Sequence, residues 1–460
     1  MIAASPSAGI ATLPSSGIAA LPSAGTIAAG ALGASIAVAL LALAMRREPR
    51  AFPVLAVLAL PFRLPISADG RTVNLLLPLY AVVAAGVVVH LLPRLLRRSG
   101  GYRSGRAPIA LDWLLLASVV LYAVQASYSA DVSKALENVA FFYVPFALLY
   151  VLLREAPWNA RLMLVCLGVA VALAVVFAGI GFVEYYRKAL FLNPKVVAAN
   201  EYDNYFRVNS LFFDPSIYGR FLALVTIAVA TTVLWCVRNR RQILVGAGVL
   251  AWLLAGLVTS FSQSSIAALL LGLAVLAAWR WDVRGTLYVS VALVAIAAVV
   301  VFAAPPSLHF GLNGSGGSTS NATSGRTKLI SGGLDLFTDR PVYGYGSGSF
   351  EREYKLHRKA TLANATSASH TIPVTVAAEQ GLFGLALYVA LLATALSTLF
   401  AQAGRSPPRI ALAACFTALV LHTFVYADFL EDPLAWTLLG VGVALAPVRA
   451  AVGLRSCATT

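Results

Sequence analysis

The chain has 460 residues, of which 59% are hydrophobic and only 12% are charged. Soluble domains carry about twice that share of charged residues, so the composition excludes an ordinary soluble globular protein. Apolar runs of about 20 residues recur along most of the chain, and each could cross a bilayer as a helix. The net charge of +15 gathers at the ends of these runs, which is typical of membrane topology rather than of nucleic-acid binding.

Three segments of different composition divide the chain. Residues 1–25 form a degenerate repeat rich in Ala, Ser, Gly and Pro, and recurrent Pro and Gly predict a disordered leader. Residues 26–450 are predicted to form one transmembrane bundle, and residues 451–460 a cytoplasmic tail. The four cysteines have no metal-ligand spacing, so we expect no disulfide, no zinc site and no cofactor.

The apolar runs predict an all-α polytopic membrane protein, a bundle of about 12–13 transmembrane helices. The second run is short and contains Pro53, Pro61 and Arg63, so it is a candidate re-entrant segment. The predicted spans cover residues 26–45, 51–66, 73–93, 108–127, 135–153, 162–184, 214–236, 242–260, 264–280, 286–304, 372–400, 409–428 and 433–448.

Basic residues alternate between the connections of these spans. Arginines cluster in residues 94–106 and 238–241, whereas residues 125–133 and 427–432 contain no Lys or Arg. The positive-inside rule places the basic connections in the cytoplasm. The two long polar loops, 185–212 and 305–369, then share the external face. We therefore expect a multi-pass protein of the cytoplasmic membrane whose active site faces outward.

The first external loop contains Arg207 near its end, and Arg220 lies inside the next apolar run. An arginine inside a span costs about 2.5–3.5 kcal/mol on insertion scales, so it normally faces a cavity or a counter-ion. Asp214 is one candidate partner for Arg220, and a contact between them, or snorkelling to the interface, would be purely structural. The functional alternative is anion recognition, because guanidinium groups bind phosphate bidentately and keep their charge.

The second external loop has a helical part and a glycine-rich part. Apolar residues between Arg326 and Phe337 follow helical spacing, which predicts an amphipathic helix lying on the membrane. Gly344, Gly346 and Gly348 then alternate with larger residues. This spacing favours a tight turn over a phosphate cradle.

A histidine, His370, stands where the second loop returns to the membrane. Pro373 follows it at a position typical of a first helical turn. The positive end of that helix would lower the imidazole pKa and favour the neutral form that can accept a proton. A structural role as a helix cap is the alternative. As a base beside arginines, His370 would suit attack by a hydroxyl on a phosphate-activated carbon.

Between Arg207 and Asp428 the sequence resembles the O-antigen ligase and polymerase family, membrane glycosyltransferases that use polyprenyl-diphosphate-linked glycans. This span is about half of the chain, and four groups of residues within it carry the resemblance in the family's order. They are residues 207–218, Arg326 with the glycine-rich stretch 341–350, His370 with the stretch 378–385 that contains Glu379, and the weaker pair His422 and Asp428.

The resemblance implies roles for these residues. Arg207, Arg220 and Arg326 would bind the diphosphate of the donor, and His370 would activate the acceptor hydroxyl. Glu379 would orient the site or serve as a polar packing residue, with Asp214, His422 and Asp428 in support.

Two positions depart from the family pattern. Gln263 stands where many members have arginine, and Thr371 follows the histidine where asparagine is usual. The number of phosphate-binding arginines is therefore open. Gln263 could supply one neutral hydrogen bond, about half as strong as a charge-assisted one.

The predicted function is metal-independent transfer of a glycan from a polyprenyl diphosphate to an acceptor hydroxyl on the external face. The expected partners are the lipid-linked donor, a glycan or lipid-anchored acceptor and membrane lipids, with no nucleic acid. Ligase and polymerase activities both fit. The alternative is a flippase or transporter for a related anionic lipid, which polar residues inside the spans, such as Asp112 and Glu137, would also suit.

Overall fold

The fold is available as a computed structural model. It describes residues 24–68, 71–96, 107–191, 206–285, 287–288, 320–358, 369, 371–401, 403–426 and 428–446. The predicted leader, the predicted tail and nearly all of the predicted span 286–304 lie outside these residues.

Sixteen helices and one hairpin are named here in chain order. They are α1 Ala24–Arg47, α2 Ala51–Ala59, β1 Leu64–Ala68, β2 Arg71–Leu75, α3 Leu77–Gly86, α4 Leu92–Leu96, α5 Ala110–Ala126, α6 Val132–Asn138, α7 Val144–Glu155, α8 Ala160–Arg187, α9 Pro215–Trp235, α10 Arg240–Thr259, α11 Gln263–Arg280, α12 Ser320–Asp339, α13 Phe350–Arg358, α14 Ile372–Phe400, α15 Pro407–Val425 and α16 Pro433–Ala444. One π-helical turn, Val87–Leu91, joins α3 to α4, and another, Val139–Tyr143, joins α6 to α7.

The described chain confirms the prediction of an all-α polytopic membrane protein. Nine of its helical segments are long and apolar enough to cross a membrane, and α5 and α16 are shorter apolar helices. The predicted second span is not formed. Helix α2 ends at Ala59, and an antiparallel hairpin begins at Leu64, which pairs with Leu75. Pro61 explains part of this difference, because proline cannot donate the next helical hydrogen bond.

Helix α15 lies between two buried apolar clusters. Phe416 and Leu419 pack into a cluster formed mainly by α2, α3, α5, α7, α14 and α16. Ala414 and Ala418 belong to the other cluster, built largely on α8, α9, α10 and α11. Helix α9 is the central helix of this second cluster, and 78% of its apolar stretch is buried inside the bundle. A polar side chain on α9 is therefore far from bulk water.

The second loop packs against the start of α14. Leu329 and Leu336 of α12 are buried with Phe350, Tyr354 and Ala378. This confirms the predicted helix, although its apolar face contacts protein in addition to any membrane contact. Between α12 and α13, Gly344, Gly346 and Gly348 all have positive φ, which confirms the predicted tight turn.

Candidate anion-binding site

The chain around Arg207 is hydrogen-bonded to the turn that joins α10 to α11. The amide of Val208 donates to the carbonyl of Thr259 at 3.3 Å, and Arg207 Nε lies 3.4 Å from the carbonyl oxygen of Ser260. Gln263, the exposed first residue of α11, belongs to the same turn. Tertiary structure thus brings together Arg207 and Gln263, which are far apart in sequence.

Arg220 is fully enclosed by the bundle, with 1% of its side chain exposed. Its Nη2 atom forms an ion pair with Asp432 Oδ2 at 2.7 Å. Within the described part of the chain, Nε and Nη1 of Arg220 have no hydrogen-bond partner. Buried guanidinium N–H groups are costly when they lack acceptors, so these atoms are suited to an anionic ligand.

The predicted partner of Arg220, Asp214, has a different role. Its Oδ1 accepts a hydrogen bond from the amide of Ser216 at 2.6 Å, so Asp214 is the N-cap of α9. Six residues along a helix correspond to about 240° of rotation, since each residue turns the chain by about 100°. Capping and this rotation together explain why Arg220 pairs with Asp432 of a different element.

Three carboxylates lie in the short connection between α15 and α16. Asp428 has a positive φ of 76°, and Asp432 both pairs with Arg220 and caps α16 through its contact with the Leu434 amide at 2.9 Å. Glu431 Oε1 accepts a hydrogen bond from Asn138 Nδ2 at 2.9 Å. The connection therefore ties α6, α9 and α16 together at one end of the bundle, which we call the loop end.

Burial raises the pKa of two of these acids, Asp428 and Glu431. It raises the pKa of Asp428, opposed by the nearby positive charges of Arg220 and Arg63. Burial, followed by the negative charge of Asp428, raises the pKa of Glu431 to about 8. At neutral pH Glu431 is therefore mostly protonated, which limits the negative charge beside the arginines.

His422 lies at the same end, on the last turn of α15. It is fully buried, and its Nε2 atom is 3.2 Å from Ser264 Oγ and 3.3 Å from Ser265 Oγ. A close approach of α9 and α11 makes this possible, since a Cβ on Gly219 would lie 2.8 Å from Ser265 Oγ. His422 therefore connects α15 to the first turn of α11, next to Gln263.

Glu379 holds the glycine turn rather than the arginines. Its carboxylate accepts the amides of Gly348 at 2.8 Å and Phe350 at 3.0 Å, and its carbonyl accepts the amide of Gly346 at 2.8 Å. These amides are engaged within the protein. The contacts favour the structural turn over a phosphate cradle, as the glycine spacing predicted.

The roles of all the predicted site residues remain predictions, and the side chains of two of them are not described. His370 lies outside the described residues. The backbone of Arg326 belongs to α12, but its side chain is likewise outside the described part.

Arg63, Glu431 and Asp432 are site residues that the sequence analysis did not single out as such. Two local signals point to them in retrospect. Arg63 lies in an apolar run, two residues after Pro61, where an isolated charge is costly. Asp432 precedes Pro433, a typical N-cap pattern. Arg63 and Asp432 line a small recess whose other walls are Leu60, Pro61, Phe212, Ile217, Phe221 and Leu434.

The fold and this site define a multi-pass helical membrane protein with arginines and carboxylates gathered at one end. Residues 248–389 match the family described as O-antigen ligase. The match confirms the predicted family resemblance and indicates a glycan-transferring enzyme in general. It includes Gln263, His370 and Glu379, whereas Arg207, Arg220 and His422 lie outside the matched segment. No curated protein matches the chain.

Proposed function

We propose that this protein transfers a glycan from a polyprenyl-diphosphate donor to an acceptor hydroxyl at the external membrane face. The observation that carries the proposal is Arg220, a buried guanidinium with N–H groups left open among the described residues. Arg220 pairs with Asp432, which lines the same recess as Arg63. In a chain of which residues 248–389 match the O-antigen ligase family, this supports a diphosphate as the ligand.

The diphosphate would bind between Arg207 and Arg220. Guanidinium groups form strong charge-assisted bonds with phosphate oxygens, and those bonds gain strength away from bulk water. Arg63 and Asp432 line the same small recess, whose other walls are apolar. Arg326 would complete the cation set from the second loop.

The reaction would proceed by direct displacement at the anomeric carbon. His370 takes the proton of the acceptor hydroxyl as its oxygen forms the new bond to that carbon. The bond from the carbon to the phosphate oxygen breaks, and the diphosphate leaves with the electron pair. Attack opposite the leaving group inverts the anomeric configuration. Arginines stabilise the charge that develops on the diphosphate, so we expect transfer to continue in the presence of EDTA.

A reconstituted assay tests this proposal directly. The purified protein in nanodiscs would receive a defined polyprenyl-diphosphate-linked glycan, with a lipid-anchored core or a growing glycan as the acceptor. We expect free polyprenyl diphosphate and a new glycosidic product of inverted configuration. In a companion liposome assay, donor movement across the bilayer without any product would instead identify a flippase and overturn the proposal.

The role of His370 has a matched control in the same loop. His370→Ala should leave protein abundance normal while lipid-linked donor accumulates. His357 is a useful comparison because its Nε2 atom is 3.1 Å from Tyr345 Oη, within the helix pair of the second loop. His357→Ala should retain transfer. Product formation by the His370→Ala protein at the wild-type rate would exclude His370 as the base.

A further inference from the structure

Glu184 is a buried carboxylate near the end of α8 to which the sequence analysis assigned no role. Its side chain has no solvent exposure, and it lies one turn before the end of that helix at Arg187. A buried carboxylate without hydrogen-bond donors would be costly, so we expect the fold to supply donors to both of its oxygens.

Three backbone amides donate to this carboxylate. Oε2 accepts the amide of Ser210 at 2.7 Å and that of Asn209 at 3.3 Å. Oε1 accepts the amide of Phe191 at 3.1 Å. These donors come from both sides of residues 192–205. One side chain therefore joins the two ends of the first polar loop.

The contacts of Glu184 lie next to Arg207 in the chain. Ser210 has a positive φ of 51°, a conformation that is unfavourable for a residue other than glycine and needs support from its surroundings. The Ser210 and Asn209 amides receive that support from Glu184. Between these residues and Arg207, the amide of Val208 donates a hydrogen bond to the carbonyl of Thr259.

Arg207 depends on this backbone for its position. Arg207 immediately precedes the 208–210 turn, so a shift of that backbone moves the point from which its side chain extends towards the Ser260 carbonyl, 3.4 Å from Nε. A shift of about 1 Å in a group that positions substrate can cost about 100-fold in rate.

We propose that Glu184 is a positioning residue that holds the 208–210 turn so that Arg207 meets the donor diphosphate. This inference rests on the proposed function. Glutamate is suited to the role because both of its oxygens accept hydrogen bonds, whereas the amide nitrogen of glutamine cannot accept one. Glu184→Gln therefore loses acceptors for one end of the loop while keeping the size of the side chain.

The test is a double-mutant cycle on the purified protein in nanodiscs, with the defined lipid-linked donor. Glu184→Gln should raise the KM for the donor about tenfold with a smaller change in kcat. In an Arg207→Ala background, the same substitution should have little further effect on KM, because the group it positions is gone. Additive effects of the two substitutions on KM would overturn the inference.

Two further variants separate positioning from loss of folding. Glu184→Asp keeps the charge but shortens the side chain, and it enters the same cycle if the glutamine variant does not fold. Asp112→Asn changes a carboxylate at the opposite end of the bundle, which accepts Tyr150 Oη at 2.6 Å and the Ile109 amide at 2.6 Å. It should lower the unfolding temperature without changing the donor KM.

The outcomes also distinguish this inference from the proposed function. Absence of transfer by the wild-type protein would contradict the proposed function. Transfer by the wild type, with a raised KM for Arg207→Ala and an unchanged KM for Glu184→Gln, would overturn only the role of Glu184.

Discussion

Each end of the bundle holds an arginine–aspartate pair shielded from water, and the two pairs are completed differently. At the end opposite the loops, Asp112 Oδ2 lies 3.2 Å from Arg154 Nη2. Asp112 also accepts hydrogen bonds from Ile109 and Tyr150, and Arg154 donates to the Ala107 carbonyl at 2.7 Å. These contacts connect α5, α7 and the residues before α5.

At the loop end, Arg220 and Asp432 are paired but less fully bonded. Asp432 receives the guanidinium as an ion pair through Nη2 and also accepts one capping amide. None of the three Arg220 nitrogens has a hydrogen bond among the described residues. Because an unmade buried hydrogen bond costs about 1–3 kcal/mol, this arrangement is expensive for a purely structural pair. The comparison favours a structural role for the Asp112 pair and supports the proposed role of Arg220 in anion binding.

The largest expected effect comes from comparing two single substitutions, Arg220→Ala at the loop end and Arg154→Ala at the opposite end. Arg220→Ala leaves Asp432 buried without a cation, which costs about 3–5 kcal/mol, and it also removes a diphosphate ligand. We expect transfer to fall more than 100-fold. Arg154→Ala should lower the unfolding temperature while the folded fraction keeps its donor KM. Equal losses of transfer per folded molecule in both variants would break the distinction between the two ends.

The glycine turn tests whether the loop end also contains purely structural parts. A Cβ on Gly346 would lie 2.4 Å from Ser129 Cα, and its φ is 92°. Gly346→Ala should therefore destabilise the protein by about 1–3 kcal/mol, measured as a fall in unfolding temperature in detergent. Gly248 of α10 has open space around its Cβ direction, and Gly248→Ala should be neutral or slightly stabilising. Equal unfolding temperatures for the Gly346→Ala and Gly248→Ala proteins would contradict the structural role of the turn.

The pH dependence of stability probes the acids beside Arg220. The pKa of Glu431 rises on folding from its ordinary value of 4.5 to about 8, so the folded state binds more protons between these values. Stability should then fall as the pH rises from about 4.5 to about 8 and level off above that range. Glu431→Gln should flatten this part of the profile. An unchanged slope would show that Glu431 is not the titrating group.

The smallest effect is expected at Gln263. It is exposed beside Arg207 and can offer one neutral hydrogen bond, worth about 1 kcal/mol. Gln263→Ala should raise the donor KM by about fivefold, and Gln263→Arg should lower it by adding a charge to the same position. Steady-state kinetics of both variants measure this contribution. A higher KM in the arginine variant would place the diphosphate away from α11.

Local sequence patterns were sufficient for the elements and for part of the site. Apolar run length predicted the spans because a bilayer leaves backbone groups few partners outside a helix. The alternate glycines predicted their turn. Arg207 and Arg220 stood out because isolated charges near apolar runs are costly. The second predicted span did not form a membrane-length helix, since the helix ends at Ala59 before Pro61 and Leu64 pairs with Leu75 in a hairpin.

By itself the sequence determined a membrane bundle, the positions of its polar loops and the arginines worth attention. Tertiary structure decided which carboxylate each polar group would meet. It paired Arg220 with Asp432 instead of Asp214. The carboxylate of Glu379 accepts hydrogen bonds from the glycine turn, and that of Glu184 accepts one from the turn after Arg207. These partners are distant in sequence, and their choice depends on how whole helices pack, which no local pattern encodes.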